Sequence, residues 1–168
     1  MNIIETDIKG DIEFFQPYLD SLEWVDINKA YSDYSEYEKA MEFKKPHLQY
    51  IKHIENYDMK LKKFIVGLLK KYGIKTQDFR CDFFLTKPGG YLPAHVDEMA
   101  KIAILVPLTE NTGALIVDEK EHTYQNAVIL NTRVLHEVKS PTKDRLLFRI
   151  AIHDFDFTDI QIRQPNES

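Results

Sequence analysis

The chain has a single cysteine, Cys81, among its 168 residues. No disulfide can close within it, so packing must hold the fold, and a reducing, cytoplasmic setting is expected. Long apolar runs are also missing. The longest, Ile102 to Leu108, is strand-sized and far short of the roughly 20 residues that a bilayer-spanning helix needs, so no membrane partner is expected. Residues 1–15 are polar and acidic and show no basic region followed by an apolar run, the mark of a secretory leader. Positive charge is not in excess: 22 Lys and Arg face 27 Asp and Glu, a net charge of -5. That balance argues against a nucleic-acid partner, because phosphate binding needs a basic face. Repeats, low-complexity tracts and Pro/Gly/Ser-rich linkers are absent as well. One domain over residues 1–168 is therefore expected, with a mostly helical part, 1–78, packed on a strand-rich core, 79–156.

What is present fits an ordinary globular protein: 43% hydrophobic, 12% aromatic and 29% charged residues. Lys44 to Lys75 carries nine lysines against two acids, a run best read as a solvated helix face. Pro46 can open that helix. Ile51, Ile54, Tyr57, Leu61, Phe64, Ile65, Leu68, Leu69 and Tyr72 recur at three- and four-residue steps, and Gly73 can stop it. The spacing predicts an amphipathic helix of about seven turns from Pro46 to Tyr72. A shorter helix is expected over Asp11 to Leu22.

From Phe79 the pattern changes to strands. Candidates are Phe79–Thr86, Lys101–Leu108, Ala114–Val117, Tyr124–Leu130, Val134–Val138 and Arg145–His153. Turn-type clusters separate them, such as Lys87-Pro88-Gly89-Gly90, Glu110-Asn111-Thr112-Gly113 and Ser140-Pro141-Thr142. A mainly β fold follows, an antiparallel sandwich or barrel with helices packed on one outer face. In the last strand Leu146, Phe148, Ile150 and Ile152 share one face, and Arg145, Leu147, Arg149, Ala151 and His153 share the other. The first face would back the helices. The second suits a polar cavity.

His95-Val96-Asp97 carries the chemistry. In extended chain, residues two apart project to one side, so an imidazole and a carboxylate can converge on one cation. His136, in the apolar segment Val134-Leu135-His136-Glu137-Val138, can supply a third ligand. Two histidines and one carboxylate leave coordination positions open, which suits iron(II). A structural zinc site would call for thiolates, which are lacking. Nine residues after His136, Arg145 offers a planar, permanently charged fork that matches a free carboxylate. Arg149 lies one repeat further on the same face and could hold that carboxylate, touch substrate, or pair with a buried acid. Thr86 and Lys101 flank the expected cavity. His153 reads as structural, His47, His53 and His122 as solvated, and Cys81 as a small buried strand residue.

His95, Asp97, His136 and Arg145, spaced in this way, resemble the 2-oxoglutarate/iron(II)-dependent oxygenases with a double-stranded β-helix core. The resemblance covers residues 79–154. Leu85-Thr86-Lys87-Pro88-Gly89-Gly90-Tyr91-Leu92 before the first histidine, and Asp144-Arg145-Leu146-Leu147-Phe148 after the second, are similar to the aspartyl/asparaginyl β-hydroxylase branch. It implies a jelly-roll, cupin-like core and a metal held by His95, Asp97 and His136. Arg145 would anchor 2-oxoglutarate, and O2 would be consumed with release of succinate and CO2 as a small amino acid or peptide substrate is hydroxylated. Mammalian aspartyl hydroxylases have glycine where Asp97 stands here. The nucleic-acid demethylase branch has a second arginine six residues after the first, where this chain has Ala151. The alternatives are a non-catalytic metal- or carboxylate-binding module on the same scaffold, and a cupin-type hydrolase or isomerase using the same three ligands. The acidic stretch Tyr31 to Glu42 is expected to supply part of the pocket or a lid.

Overall fold

A computed structural model describes residues 1–31 and 44–161. In chain order the elements are β1 (Ile3–Glu5), α1 (Ile12–Asp20), β2 (Val25–Asp26), α2 (Ile27–Ala30), β3 (His47–His53), α3 (Met59–Lys71) and β4 (Phe79–His95). They continue as β5 (Ile102–Pro107), β6 (Leu115–Val117), β7 (Lys120–His122), β8 (Val128–Asn131), β9 (His136–Val138) and β10 (Arg145–Ile152), then a 3-10 turn at Phe157–Asp159. The strands form a curled, wholly antiparallel sheet in the order β1-β8-β5-β10-β4-β9-β6-β7, with β3 and then β2 added beside β4. The class is mainly β, a half-barrel of jelly-roll type with helices on its outer face.

β4 makes the curl possible. Its first part pairs with β10 (Phe79↔Ile152 to Thr86↔Arg145), and its last part pairs with β9 (Leu92↔Val138, His95↔His136). Lys87-Pro88-Gly89-Gly90, expected as a turn, lies inside this one 17-residue strand. The strand bends there instead of ending. Gly89 takes φ +82, and a Cβ on Gly90 would stand 2.7 Å from the His47 carbonyl oxygen of β3. Glycine is what lets the two chains close up.

The two faces of β10 divide as the alternation predicts. Phe148, Ile150 and Ile152 join Phe15 and Leu19 of α1, Leu61, Ile65 and Leu68 of α3, and Cys81 and Phe83 of β4 in one apolar layer under the helices. Leu147 faces the other way, into a second cluster with Ile51, Phe84, Leu105, Leu115, Val128 and Val138 between the curled halves of the sheet. Phe148 is fully buried, with ring centroids of Phe15, Phe83 and Phe64 at 4.6, 5.7 and 6.1 Å. Phe148→Ala is expected to destabilise the fold by about 3–5 kcal/mol, read as a lower denaturant midpoint at unchanged slope. A loss below about 1 kcal/mol would contradict this packing.

The expected helix from Pro46 to Tyr72 is corrected: its first part is a strand. β3 places Gln49, Ile51 and His53 on the cavity side, opposite Thr86, Phe84 and Asp82 of β4. The helix begins only at Met59, where the Asp58 side chain accepts from the Leu61 amide. It ends as expected at Gly73, whose φ of +66 lets the Ile74 amide donate back to the Leu69 carbonyl at 3.0 Å. α1 is close to expectation, capped by Asp11, whose carboxylate accepts from the Glu13 amide.

Candidate metal centre

The structure brings His95, Asp97 and His136 together. One potential ligand atom from each lies within 4.8 Å of the others. His95 Nε2 is 3.1 Å and His136 Nε2 is 3.6 Å from the same Asp97 oxygen, Oδ1. The two imidazoles come from strands that pair at this point, His95↔His136. Asp97 follows the end of β4, where its amide donates to the Thr132 carbonyl at 2.9 Å.

The outer nitrogens test whether a metal fits. His95 Nδ1 lies 2.7 Å from the Pro93 carbonyl, and His136 Nδ1 lies 2.8 Å from the Val134 carbonyl. A carbonyl can only accept, so each Nδ1 must carry a proton there. That leaves both Nε2 atoms as the donors turned toward Asp97, the arrangement that metal-ligating histidines require of their second nitrogen. The donor set, two imidazoles and one carboxylate with no thiolate, fits a divalent first-row metal such as iron(II).

Protonation in the metal-free protein follows from the same contacts. Burial pulls the His95 pKa down, but the Asp97 hydrogen bond and charge outweigh it and leave it raised. Burial pushes Asp97 up, yet the His95 hydrogen bond and the positive charges around it hold it below the usual carboxylate range. His136 is lowered, first by burial and then by the His95 charge. The raised His95 pKa means that its proton stabilises the metal-free fold below about pH 6.5, a contribution lost as pH rises through the folded-state value. A metal must displace that proton. Metal affinity is therefore expected to drop about tenfold per pH unit below the His95 pKa and to level off above it. Calorimetric titrations between about pH 5.5 and 8 check this, and a flat profile would show that His95 Nε2 is not a ligand.

A cavity of about 230 Å³ opens beside the three residues. Arg145, Leu147, Arg149 and Ala151 of β10, and His153 just after it, all line it. The two arginines differ in how they are held. Arg149 is committed: its Nε and Nη2 donate to Asp82 Oδ1 and Oδ2 at 2.9 and 2.7 Å, and its guanidinium lies 4.2 Å over the Phe84 ring. Arg145 is 3% exposed; its Nη2 donates to the Tyr124 hydroxyl at 2.7 Å, while its Nε is buried with no hydrogen-bond partner. Directly across the strand pair from Arg145, Thr86 accepts at 2.8 Å from Gln49 Nε2. A buried guanidinium with a neutral partner and an unmatched edge has the chemistry to take an anion.

Other candidate residues fall as follows. Lys101 reaches Asp156 at 3.4 Å, and His153 faces Asp78 at 3.4 Å. His47 is exposed against Tyr91, whereas His53 is half-buried on β3, 3.8 Å from Asp82. Cys81 is buried in β4, its thiol pushed up to about 12 by burial. Of the acidic stretch, only Tyr31 lies within the described residues, and it lines the cavity. Sequence reading missed Tyr124, Gln49 and Asp82. For Asp82 a signal existed, a carboxylate alternating with apolar neighbours in a buried strand.

No protein-family model matches the sequence, and no curated protein is similar to it at a significant level. Solved structures do match. A prolyl-4-hydroxylase from Pseudomonas putida aligns at TM-score 0.50 and 18% identity, over 82% of this chain and 95% of that one. KdgF from a Halomonas species aligns at TM-score 0.50 and 10% identity, over 83% of this chain and 93% of that one. The likeness is one of fold: the chain is built on the double-stranded β-helix framework. Among the described residues, no helix is long and apolar enough to cross a membrane.

Proposed function

We propose that the protein is an Fe(II)- and 2-oxoglutarate-dependent dioxygenase that hydroxylates a small amino acid or peptide substrate and releases succinate and CO2. The observation that carries this reading is one cavity containing both a two-histidine, one-carboxylate face and a buried guanidinium whose Nε lacks a partner. His95, Asp97 and His136 would hold the iron, which supplies activation of O2 when bound. The residues of the chain do the positioning. The Pro93 and Val134 carbonyls hold both imidazoles in the tautomer that presents Nε2. Arg145 takes the distal carboxylate of 2-oxoglutarate, with the Tyr124 hydroxyl fixing the guanidinium. Leu115, Val138 and Leu147 give the same cavity an apolar wall. Arg149 is not the anchor in this reading because Asp82 already occupies its fork.

The sequence around His95 and Arg145 supports the aspartyl/asparaginyl β-hydroxylase branch as nearest, and the lone buried cysteine supports a cytoplasmic setting. The test is direct. Purified protein mixed with iron(II) and 2-oxoglutarate without oxygen is expected to give a weak visible charge-transfer band, and admission of air to give succinate. Metal-dependent thermal stabilisation with no succinate above background would favour a binding module instead. Turnover that needs no oxygen and survives loss of Arg145 would point to a cupin-type hydrolase or isomerase.

A further inference from the structure

The cavity has two guanidiniums on one strand face. Arg145 and Arg149 stand four residues apart on β10, about 13 Å along an extended strand. Only Arg145 is accounted for by the proposed cosubstrate. Arg149 lines the same cavity as His95, Asp97 and His136. It is also rigid. Asp82 grips it bidentately from the neighbouring strand, and Phe84 lies beneath its plane. A substrate held in that cavity would lie against this group.

Its charge, however, is already matched. Asp82 is fully buried and ionically paired to Arg149 at 2.7 Å. His153 has Asp78 against it, and burial holds His53 in its neutral form. Burial likewise raises the Tyr31 hydroxyl, keeping it protonated beside Arg149. Asp97 and one carboxylate of the cosubstrate would match a divalent metal, and the other carboxylate would match Arg145. An added carboxylate would then be a surplus charge in a largely apolar cavity, where an unmatched ion is strongly disfavoured. A carbonyl oxygen can accept from a guanidinium without adding charge.

We infer that Arg149, neutralised by Asp82, is the specificity-determining residue for the primary substrate, and that it takes an uncharged amide carbonyl rather than a free carboxylate. This rests on the oxygenase reading for the direction in which substrate approaches the metal. It narrows the substrate class to amide-bearing compounds, a peptide segment or a blocked amino acid, and excludes free amino acids.

The experiment compares three probe sets: free amino acids, N-acetyl amino acids, and N-acetyl amino acid amides. Each is titrated calorimetrically, without oxygen, into protein carrying iron(II) and 2-oxoglutarate. Binding is expected for amides, with acids weaker by about 100-fold, the scale on which a mismatched polar group is rejected. Asp82→Asn keeps the shape but frees the Arg149 charge, and is expected to shrink or reverse that preference. Should this variant not fold, the wild-type ratio of amide to acid decides alone. If loading succeeds, as the anaerobic band reports, and acids bind as well as amides or neither set binds, this inference falls by itself. If iron(II) and 2-oxoglutarate do not bind, the oxygenase reading falls and this one with it.

Discussion

An Arg145→Met protein is expected to lose 2-oxoglutarate affinity by two decades or more while its metal-free form becomes no less stable. The two effects share one cause. In the metal-free protein Arg145 is 3% exposed, with only the neutral Tyr124 hydroxyl at Nη2 and nothing at Nε. A buried charge held this way is a burden on the fold, and apolar replacement of buried ionic groups is often neutral or stabilising by about 1–4 kcal/mol. With a dicarboxylate bound, the same guanidinium becomes half of an ion pair. Removing one partner of such a pair costs about 3–5 kcal/mol, and each 1.4 kcal/mol is tenfold in affinity. Thermal melts with and without 2-oxoglutarate read both signs in one experiment. A variant that melts well below the parent without ligand, yet keeps the ligand-induced rise, would show that Arg145 is a structural arginine.

Asp97→Ala is expected to weaken iron binding and turnover by more than the roughly 10- to 100-fold that follows loss of an outer-sphere partner. Asp97 is the one carboxylate among the three candidate ligands, and its Oδ1 lies close to both imidazoles. The fold should survive, because the Asp97 backbone amide, not its side chain, ties the segment to the Thr132 carbonyl. Metal titration followed by circular dichroism separates the two possibilities. Retention of iron at wild-type affinity by a folded variant would remove the metal-centre assignment.

Much of this was legible because strands have a period of two. Once Arg145 to His153 is read as extended, the alternation alone assigns Phe148 and Ile150 to the helices and Arg145 and Arg149 to the cavity, as found. His95 and Asp97 came from the same rule. β3 was hidden for the opposite reason. Its cavity-facing residues are Gln49, Ile51 and His53, two of them polar, so the strand lacks the apolar alternation that would mark it. Ile51, Ile54 and Tyr57 meanwhile fall at helical steps by coincidence and join smoothly to the true helix beginning at Met59. Asp58 was the overlooked boundary, a capping residue directly ahead of the apolar stripe. Tyr124 and Asp82 were out of reach differently. Each acquires a role only through an arginine distant in sequence, Arg145 and Arg149 respectively, and pairing across strands leaves no local spacing to find.

One continuous strand, β4, carries Asp82 and Thr86 in the larger half of the sheet and His95 in the smaller. It therefore works as a ruler laid between Thr86, opposite Arg145, and the candidate metal centre at His95. Residues 87–91 set its length, with Gly90 closed against the His47 carbonyl of β3 and the register shifting between Leu92 and His95. Adding or deleting a single residue there would turn His95 to the other face of the strand, away from Asp97 and His136. The spacing between Arg145 and the candidate metal centre is thus held by a segment that supplies none of the three side chains.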